Sequence, residues 1–207
     1  MHRRDKKKDQ EGENEAMKFD IILSGVGGQG VLSVAAIIAA GAMKDGFRVR
    51  QSEVHGMAQR GGAVISHMRI SERGISSDLV ARGTASLILS MEPLEALRYV
   101  DYLSGEGHII TASEPVLNIP DYPDLDEVRE KIRKYPRQSI VNSLALAKEA
   151  GSSLAVNMVM VGAASSLIPV KKESLKAAVV ELFSAKGKNV VDINLKAFDL
   201  GSRSIGK

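Results

Sequence analysis

The sequence predicts an α/β domain: a mostly parallel sheet, a β-hairpin elaboration in the middle and a helical C-terminal third. Three observations carry this. Short apolar runs alternate with stretches of helical length, the pattern of a sheet whose strands are joined by crossover helices. One segment in between, "AVISHMRIS", alternates apolar and polar residues as a half-buried strand does. Beyond Gly151 the chain holds only stretches of helical length. At 207 residues it fits one domain with a substantial core, expected here over 17–207.

In chain order, "MKFDIILSG" is an apolar run ending in Gly, a buried strand. "QGVLSVAAIIAAGAMKDG" has helical length, small residues and a glycine stop at Gly46. "FRVRQSEV" alternates like a strand and "HGMAQRGG" is a loop. In "AVISHMRIS", Val64, Ser66, Met68 and Ile70 share one face, and Ile65, His67 and Arg69 the other. After the turn "ERG", the segment "ISSDLV" is expected to pair back on it as a hairpin. "ASLILSM" and "GHIITAS" are further buried strands around a helix "EPLEALRYVDYL" with Pro93 in its first turn. "EPVLNIPDYPDL" is a proline-rich loop, "DEVREKIRKY" a charged helix, "RQSIVNS" a strand and "LALAKEAG" a short helix stopping at Gly151. Three helices close the chain: "LAVNMVMVGAASSLI", "KKESLKAAVVELFSA" and "NVVDINLKAFDLGSRSI", separated by Pro169 and by Lys186–Lys188.

Composition removes several functions. There is no cysteine, so disulfides, cysteine nucleophiles, zinc–thiolate sites and cysteine-ligated iron–sulfur clusters are excluded within this sequence. The formal charge is only +3, with both signs interspersed from Met17 onward, and the aromatics are four Phe and four Tyr with no Trp. Neither a nucleic-acid stripe nor a base-stacking platform is written here, so no nucleic-acid partner is expected. The longest apolar stretch, Val31–Met43, is too short to span a bilayer, so no membrane partner is expected. The leader "MHRRDKKKDQEGENEA" carries five Lys/Arg against five Asp/Glu and no apolar stretch. It reads as a disordered segment over 1–16 with no signal sequence, and the expected location is cytoplasmic.

The stretch "LSGVGGQGVLS" is the first candidate site. Gly25, Gly27 and Gly30 have the G-x-G-x-x-G spacing, with Gly28 and Gln29 inside it, and the turn follows a strand and opens a helix. Such glycines permit a sharp turn, approach of a pyrophosphate and close helix–strand packing, as in Rossmann-like domains, while the helix start offers free N–H groups to an anion. The same glycines also suit a tight first crossover with no ligand at all. An ordinary dinucleotide site would add an acid closing the second strand, and Glu53 comes late for that role.

The second loop, "SEVHGMAQRGGAVISHMRIS", gathers Glu53, His55, Gly56, Met57, Gln59, Arg60, Gly61 and Gly62. Arg60 is the best candidate for holding a carboxylate or phosphate, because its planar fork donates two hydrogen bonds. No serine or carboxylate at a telling spacing makes His55 a catalytic base, so no catalytic residue is assigned.

"GVGGQGV" followed by "SEVHGMAQRGGAVISHMRI" resembles the gamma-type domain of 2-oxoacid:ferredoxin oxidoreductases, and the form "EVHGMAQRGG" is similar to that of the indolepyruvate class. "LILSMEPLEALRYVDYL", "NMVMVGAASSLIPV" and "INLKAFDLG" agree, so the resemblance runs from Met17 to about Gly201. It implies a beta subunit of an enzyme that decarboxylates aryl pyruvates to acyl-CoA and reduces ferredoxin. It also implies an alpha subunit that carries thiamine diphosphate and the iron–sulfur clusters, and ferredoxin reached only through that subunit. For this chain it implies a site facing coenzyme A at Gly25, Gly27, Gly28, Gln29 and Gly30, or a scaffold whose turn is a relic. An NAD(P)-binding Rossmann oxidoreductase acting alone is the rival reading. The Ala-rich first helix and "LAVNMVMVGAASSLI" offer apolar surface, so a homodimer is expected when the partner is missing.

Overall fold

The computed structural model describes residues 16–55, 61–117 and 119–205; all but the last residue of the leader lies outside them. β1 (Lys18–Val26) runs through the middle of a six-stranded sheet with β2 (Arg48–His55), β3 (Ala63–Ser71), β4 (Ala85–Ser90), β5 (Leu103–Ala112) and β6 (Gln138–Val141). The order is β2-β3-β1-β4-β5-β6. β3 pairs antiparallel with both β1 and β2, whereas β1, β4, β5 and β6 pair in parallel, so β3 alone runs against the rest.

Side chains alternate between two cores, as the period of a strand requires. Ile21, Leu23, Leu87, Leu89 and Ile110 enter the larger core with α1 (Val31–Lys44), α5 (Val156–Ala164), α6 (Lys172–Phe183) and α7 (Lys188–Ser204). Ile22, Ile88 and Ile109 enter the smaller one with α2 (Pro93–Arg98) and α3 (Leu125–Arg133). α4 (Ser143–Ala150) follows β6 and packs on α5 and α7. The result is a sheet with helices on both faces, the arrangement expected of mostly parallel strands.

The expected hairpin of β3 with "ISSDLV" does not form; the reversed hairpin is β2–β3. Both edges of β3 are already taken, by β2 and β1, so residues 75–80 have no ladder to join. They cross the polar face of β3 as a strap instead. Arg69 donates to the carbonyls of Ser77 and Leu79 at 3.0 and 3.3 Å and pairs with buried Asp20 at 3.0 Å. His67 Nδ1 accepts from Val80 N–H at 3.2 Å, its ring lies edge-on to Tyr102, and Val80 enters the smaller core. Burial holds the His67 imidazolium pKa below its usual value, so the neutral ring that can accept this bond is favoured.

The helix ends follow local chemistry. Glu92, Asp124 and Asn142 cap α2, α3 and α4 with side-chain acceptors. α6 is capped from outside: Asp45, just past α1, accepts from Lys171 N–H at 2.7 Å and from Ser174 Oγ at 2.5 Å. Desolvation raises the Asp45 pKa, but these bonds and the charge of Lys171 outweigh it, so the carboxyl lies below its ordinary value. α5 and α7 cross at glycine on backbone: a Cβ on Gly162 would lie 2.0 Å from the carbonyl of Phe198, and one on Gly201 equally close to that of Val159. This crossing buries every residue of α5 from Met158 to Ala164. The apolar surface expected there for a homodimer is therefore consumed inside the chain. Leu32 and Met43 on α1 remain exposed.

Candidate functional site

The glycine turn sits where the sheet changes direction. From β1 the chain crosses one face by α1 to reach β2, and from β4 it crosses the other face by α2 to reach β5. The carboxyl ends of β1 and β4 therefore part company, which is where open α/β sheets bind ligands. The floor of this crevice is tightly bonded. Met91 N–H donates to Ser24 O at 2.9 Å, Ser24 Oγ to Ser90 Oγ at 2.9 Å, and Ser90 Oγ to Glu92 O at 2.6 Å.

Each glycine has its own reason. A Cβ on Gly25 would meet Val31 Cγ2 at 2.9 Å and Met91 Cβ at 3.0 Å, so Gly25 lets α1 start close to the strands. Gly30 caps α1 at φ 81°, a left-handed conformation, with Asn157 Nδ2 3.1 Å from where its Cβ would be. Gly28 has φ +102° and open space around its missing Cβ. Gly27 N–H donates to Gly62 O at 2.8 Å, and Gly61 N–H donates to Gly27 O at 3.4 Å. The first loop is thus laced by its backbone to Gly61 and Gly62, the glycines that end the second.

Gln29 turns inward. Its Oε1 accepts from Val26 N–H at 2.7 Å and its Nε2 donates to Met91 O at 2.9 Å, bridging the ends of β1 and β4. The donors of Gly27 and Gln29 are therefore committed to the protein. Those open to an anion are the N–H groups of the first turn of α1, at Val31, Leu32 and Ser33, which precede the first helical bond from Val34 N–H to Gly30 O. Among the described residues no side chain caps them, and no acidic residue lies in that turn. They line a cleft of about 330 Å³ with Val26, Gly28 and Val64. On the other side of the turn a second cleft of about 290 Å³ is lined by Gln29, Met91, Leu154 and Asn157.

Asn157 is one residue beside the turn that the sequence did not disclose. Its Oδ1 accepts from Met158 N–H at 3.1 Å, which leaves Nδ2 against the glycine turn. The only signal was one polar residue in the apolar run "LAVNMVMVGAA". Glu92 is a second such residue. Buried at the end of β4, it accepts from Glu95 N–H at 2.8 Å, from Val116 N–H at 3.4 Å and from Tyr122 Oη, tying the proline-rich loop to the rim. Burial, then the bond to Glu92, pushes the Tyr122 phenol pKa well up.

The remaining expected residues divide. Glu53 lies on the edge strand β2, with β3 between it and β1. Two strand spacings, roughly 10 Å, separate it from the turn, so the ribose acid of an ordinary dinucleotide site is missing from its place. Gly61 and Gly62 meet the glycine turn as described. The backbone of His55 ends β2, while Gly56, Met57, Gln59 and Arg60 lie outside the described residues. Among the described residues no three His, Cys, Asp or Glu side chains converge on a metal position.

A sheet reversed at one strand, with Glu53 two strands away from β1, defines an α/β domain that lacks the ribose acid of an ordinary dinucleotide dehydrogenase from its usual place. Comparison with known proteins gives the family. Residues 20–204 match the model of the pyruvate ferredoxin/flavodoxin oxidoreductase family, and the chain belongs to that family. An indolepyruvate oxidoreductase subunit IorB from Archaeoglobus fulgidus is 38% identical over 89% of this chain and 94% of its own length. The crystal structure of a keto/oxoacid ferredoxin oxidoreductase gamma subunit from Geobacter sulfurreducens is 28% identical, with TM-score 0.64 over 90% of this chain and 97% of that one. The 2-oxoglutarate:ferredoxin oxidoreductase from Magnetococcus marinus, solved with 2-oxoglutarate, coenzyme A and succinyl-CoA bound, shares the fold at 23% identity and TM-score 0.73. The match covers 90% of this chain but 30% of that one. There the same fold is part of a longer polypeptide.

Proposed function

We propose that this chain is the beta, gamma-type subunit of an indolepyruvate-class 2-oxoacid:ferredoxin oxidoreductase and that its glycine turn faces coenzyme A. The observation that carries the reading is the full-length similarity to indolepyruvate oxidoreductase subunits, 34–38% identical over about 90% of the chain. The reaction would be CoA-dependent oxidative decarboxylation of an aryl pyruvate, with electrons leaving to ferredoxin. This sequence has no cysteine for an iron–sulfur cluster, so the clusters would sit on an alpha subunit, which the family resemblance also makes the carrier of thiamine diphosphate. This chain's own contribution is to hold an anion: the open N–H groups of α1 and the Asn157 amide suit the pyrophosphate of coenzyme A. Arg60, in the loop between β2 and β3, is the proposed second anion contact.

In this reading residues 17–207 form a single domain, and the assembly would work in the cytoplasm; among the described residues no helix is long and apolar enough to cross a membrane. Reconstitution tests the reading. The purified chain should show no iron–sulfur absorbance and no viologen reduction, and mixing it with a cluster-bearing alpha subunit should give viologen reduction that needs both indolepyruvate and CoA. Activity of the chain alone, or a reconstituted activity indifferent to CoA, contradicts the proposal.

A further inference from the structure

The two edges of the sheet differ. β6 is four residues long, whereas β2 offers eight, and among the described residues β2 pairs with β3 alone. A strand of that length, with an open row of N–H and C=O groups, is a template for another strand. α1 lies over β1, β2 and β3, with α5 on the flank toward β5 and α6 packed against it as well. Its other flank, over β2, is apolar. Leu32, Ala36, Ala39 and Met43 follow one another there at helical spacing, with Leu32 42% and Met43 60% exposed. We propose that this chain pairs with a second copy of itself, β2 to β2 across a twofold axis. Two six-stranded sheets then become one of twelve strands, and the two α1 flanks face each other above it. The proposal does not depend on what the glycine turn binds.

The charges on β2 choose the register. In a symmetric antiparallel pair, opposite side chains share a face of the sheet, so each residue meets itself or one an even number of positions away. Centring the pair on Arg48, Val49 or Arg50 sets arginine opposite arginine, and centring it on Glu53 sets glutamate opposite glutamate. A centre at Val54 or beyond leaves few residues of the strand paired. A centre at Gln51 puts the two Arg50 side chains diagonally across from each other. A centre at Ser52 separates them: Arg50 then lies opposite Val54 of the other copy, and Gln51 opposite Glu53. Arg50 is paired with Asp78 of its own chain at 3.4 Å, so its charge is balanced beside Val54, which is 55% exposed. α1 runs from the carboxyl end of β1 back to the start of β2, so the same axis brings Met43 of one copy toward Leu32 of the other.

The sequence has no cysteine, so single cysteine substitutions in the full chain report the pairing directly. Opposite residues of an antiparallel pair have Cα atoms about 4.5–5.5 Å apart, within the span of a disulfide. Under mild oxidation Ser52→Cys should cross-link two chains faster than Gln51→Cys, and far faster than Arg48→Cys, whose two copies lie at opposite ends of the paired strands. Light scattering should find the wild-type chain dimeric at micromolar concentration. Val54→Lys sets a lysine opposite Arg50 of the other copy twice per dimer, and should raise the dissociation constant about tenfold. Met43→Glu, on the α1 flank, should raise it as well. Both sites are exposed, and melting curves of the two variants separate a weaker dimer from a misfolded chain. A strictly monomeric wild type, a dimer that both variants leave intact, or Ser52→Cys cross-linking no faster than Arg48→Cys overturns the proposal. So does a chain whose β2 amides are protected from hydrogen exchange only after an alpha subunit is added, because the edge then belongs to that partner.

Discussion

Replacing Gln29 by Met keeps the length of the side chain and removes both of its hydrogen bonds. In the wild type one bond of 2.7 Å satisfies Val26 N–H and one of 2.9 Å satisfies Met91 O, both partly buried at the crevice. Each net bond contributes about 1 kcal/mol and each orphaned backbone group adds to the loss, so Gln29→Met should cost about 2–3 kcal/mol. For a domain of this size that corresponds to a fall of roughly 4–12 °C in melting temperature. Gln29→Glu should restore part of it, since one carboxylate oxygen can still accept from Val26 N–H while the other faces the carbonyl of Met91. Calorimetric melts of the chain give the first quantity, and the apparent KM for CoA in the reconstituted enzyme gives the second. The geometry makes Gln29 a brace, so stability should fall in both variants while KM follows only as far as the turn is displaced. An unchanged melting temperature with a large rise in KM would refute the reasoning and make Gln29 a direct contact.

Two further tests concern the scaffold. Gly162→Ala places a Cβ 2.0 Å from the carbonyl of Phe198, so α5 and α7 must separate, and the loss should lie at or above the upper end of the about 1–3 kcal/mol typical of overpacking; Gly105→Ala, with open space around it, is the control in the same denaturation experiment. The neutral His67 that accepts from Val80 N–H makes folding sensitive to acid. Burial holds its pKa below the ordinary 6.5, so its stabilisation is complete above that pH and is lost as pH falls through the folded-state value. His67→Gln should flatten that part of the stability profile and speed hydrogen exchange at Val80. Some slope should persist from His108, whose pKa is lowered by burial and by Arg137.

The order of strands and helices was legible in the sequence because each element carries its own signal: an apolar run closed by Gly, a cap, or a proline in a first turn. The two glycine motifs were legible as separate candidates and together carried the family resemblance, but only the fold shows the bonds of Gly27 to Gly61 and Gly62 that join them. Tertiary structure decided what local pattern cannot encode. "ISSDLV" has the composition of a strand, but a strand needs an edge, and both edges of β3 belong to other strands. "LAVNMVMVGAA" is apolar enough to bind a second copy, but Gly162 and Gly201 bring α7 close enough to cover it within the chain. Gln29 stands in a ligand-binding pattern and is spent on bridging two strands, while Asn157, more than a hundred residues away, takes the place beside Gly30. Spacing along the chain fixes which residues share a turn or a face. Which side chains meet across the sheet depends on strand order and on how closely backbones approach, and those are settled only when all the elements pack together.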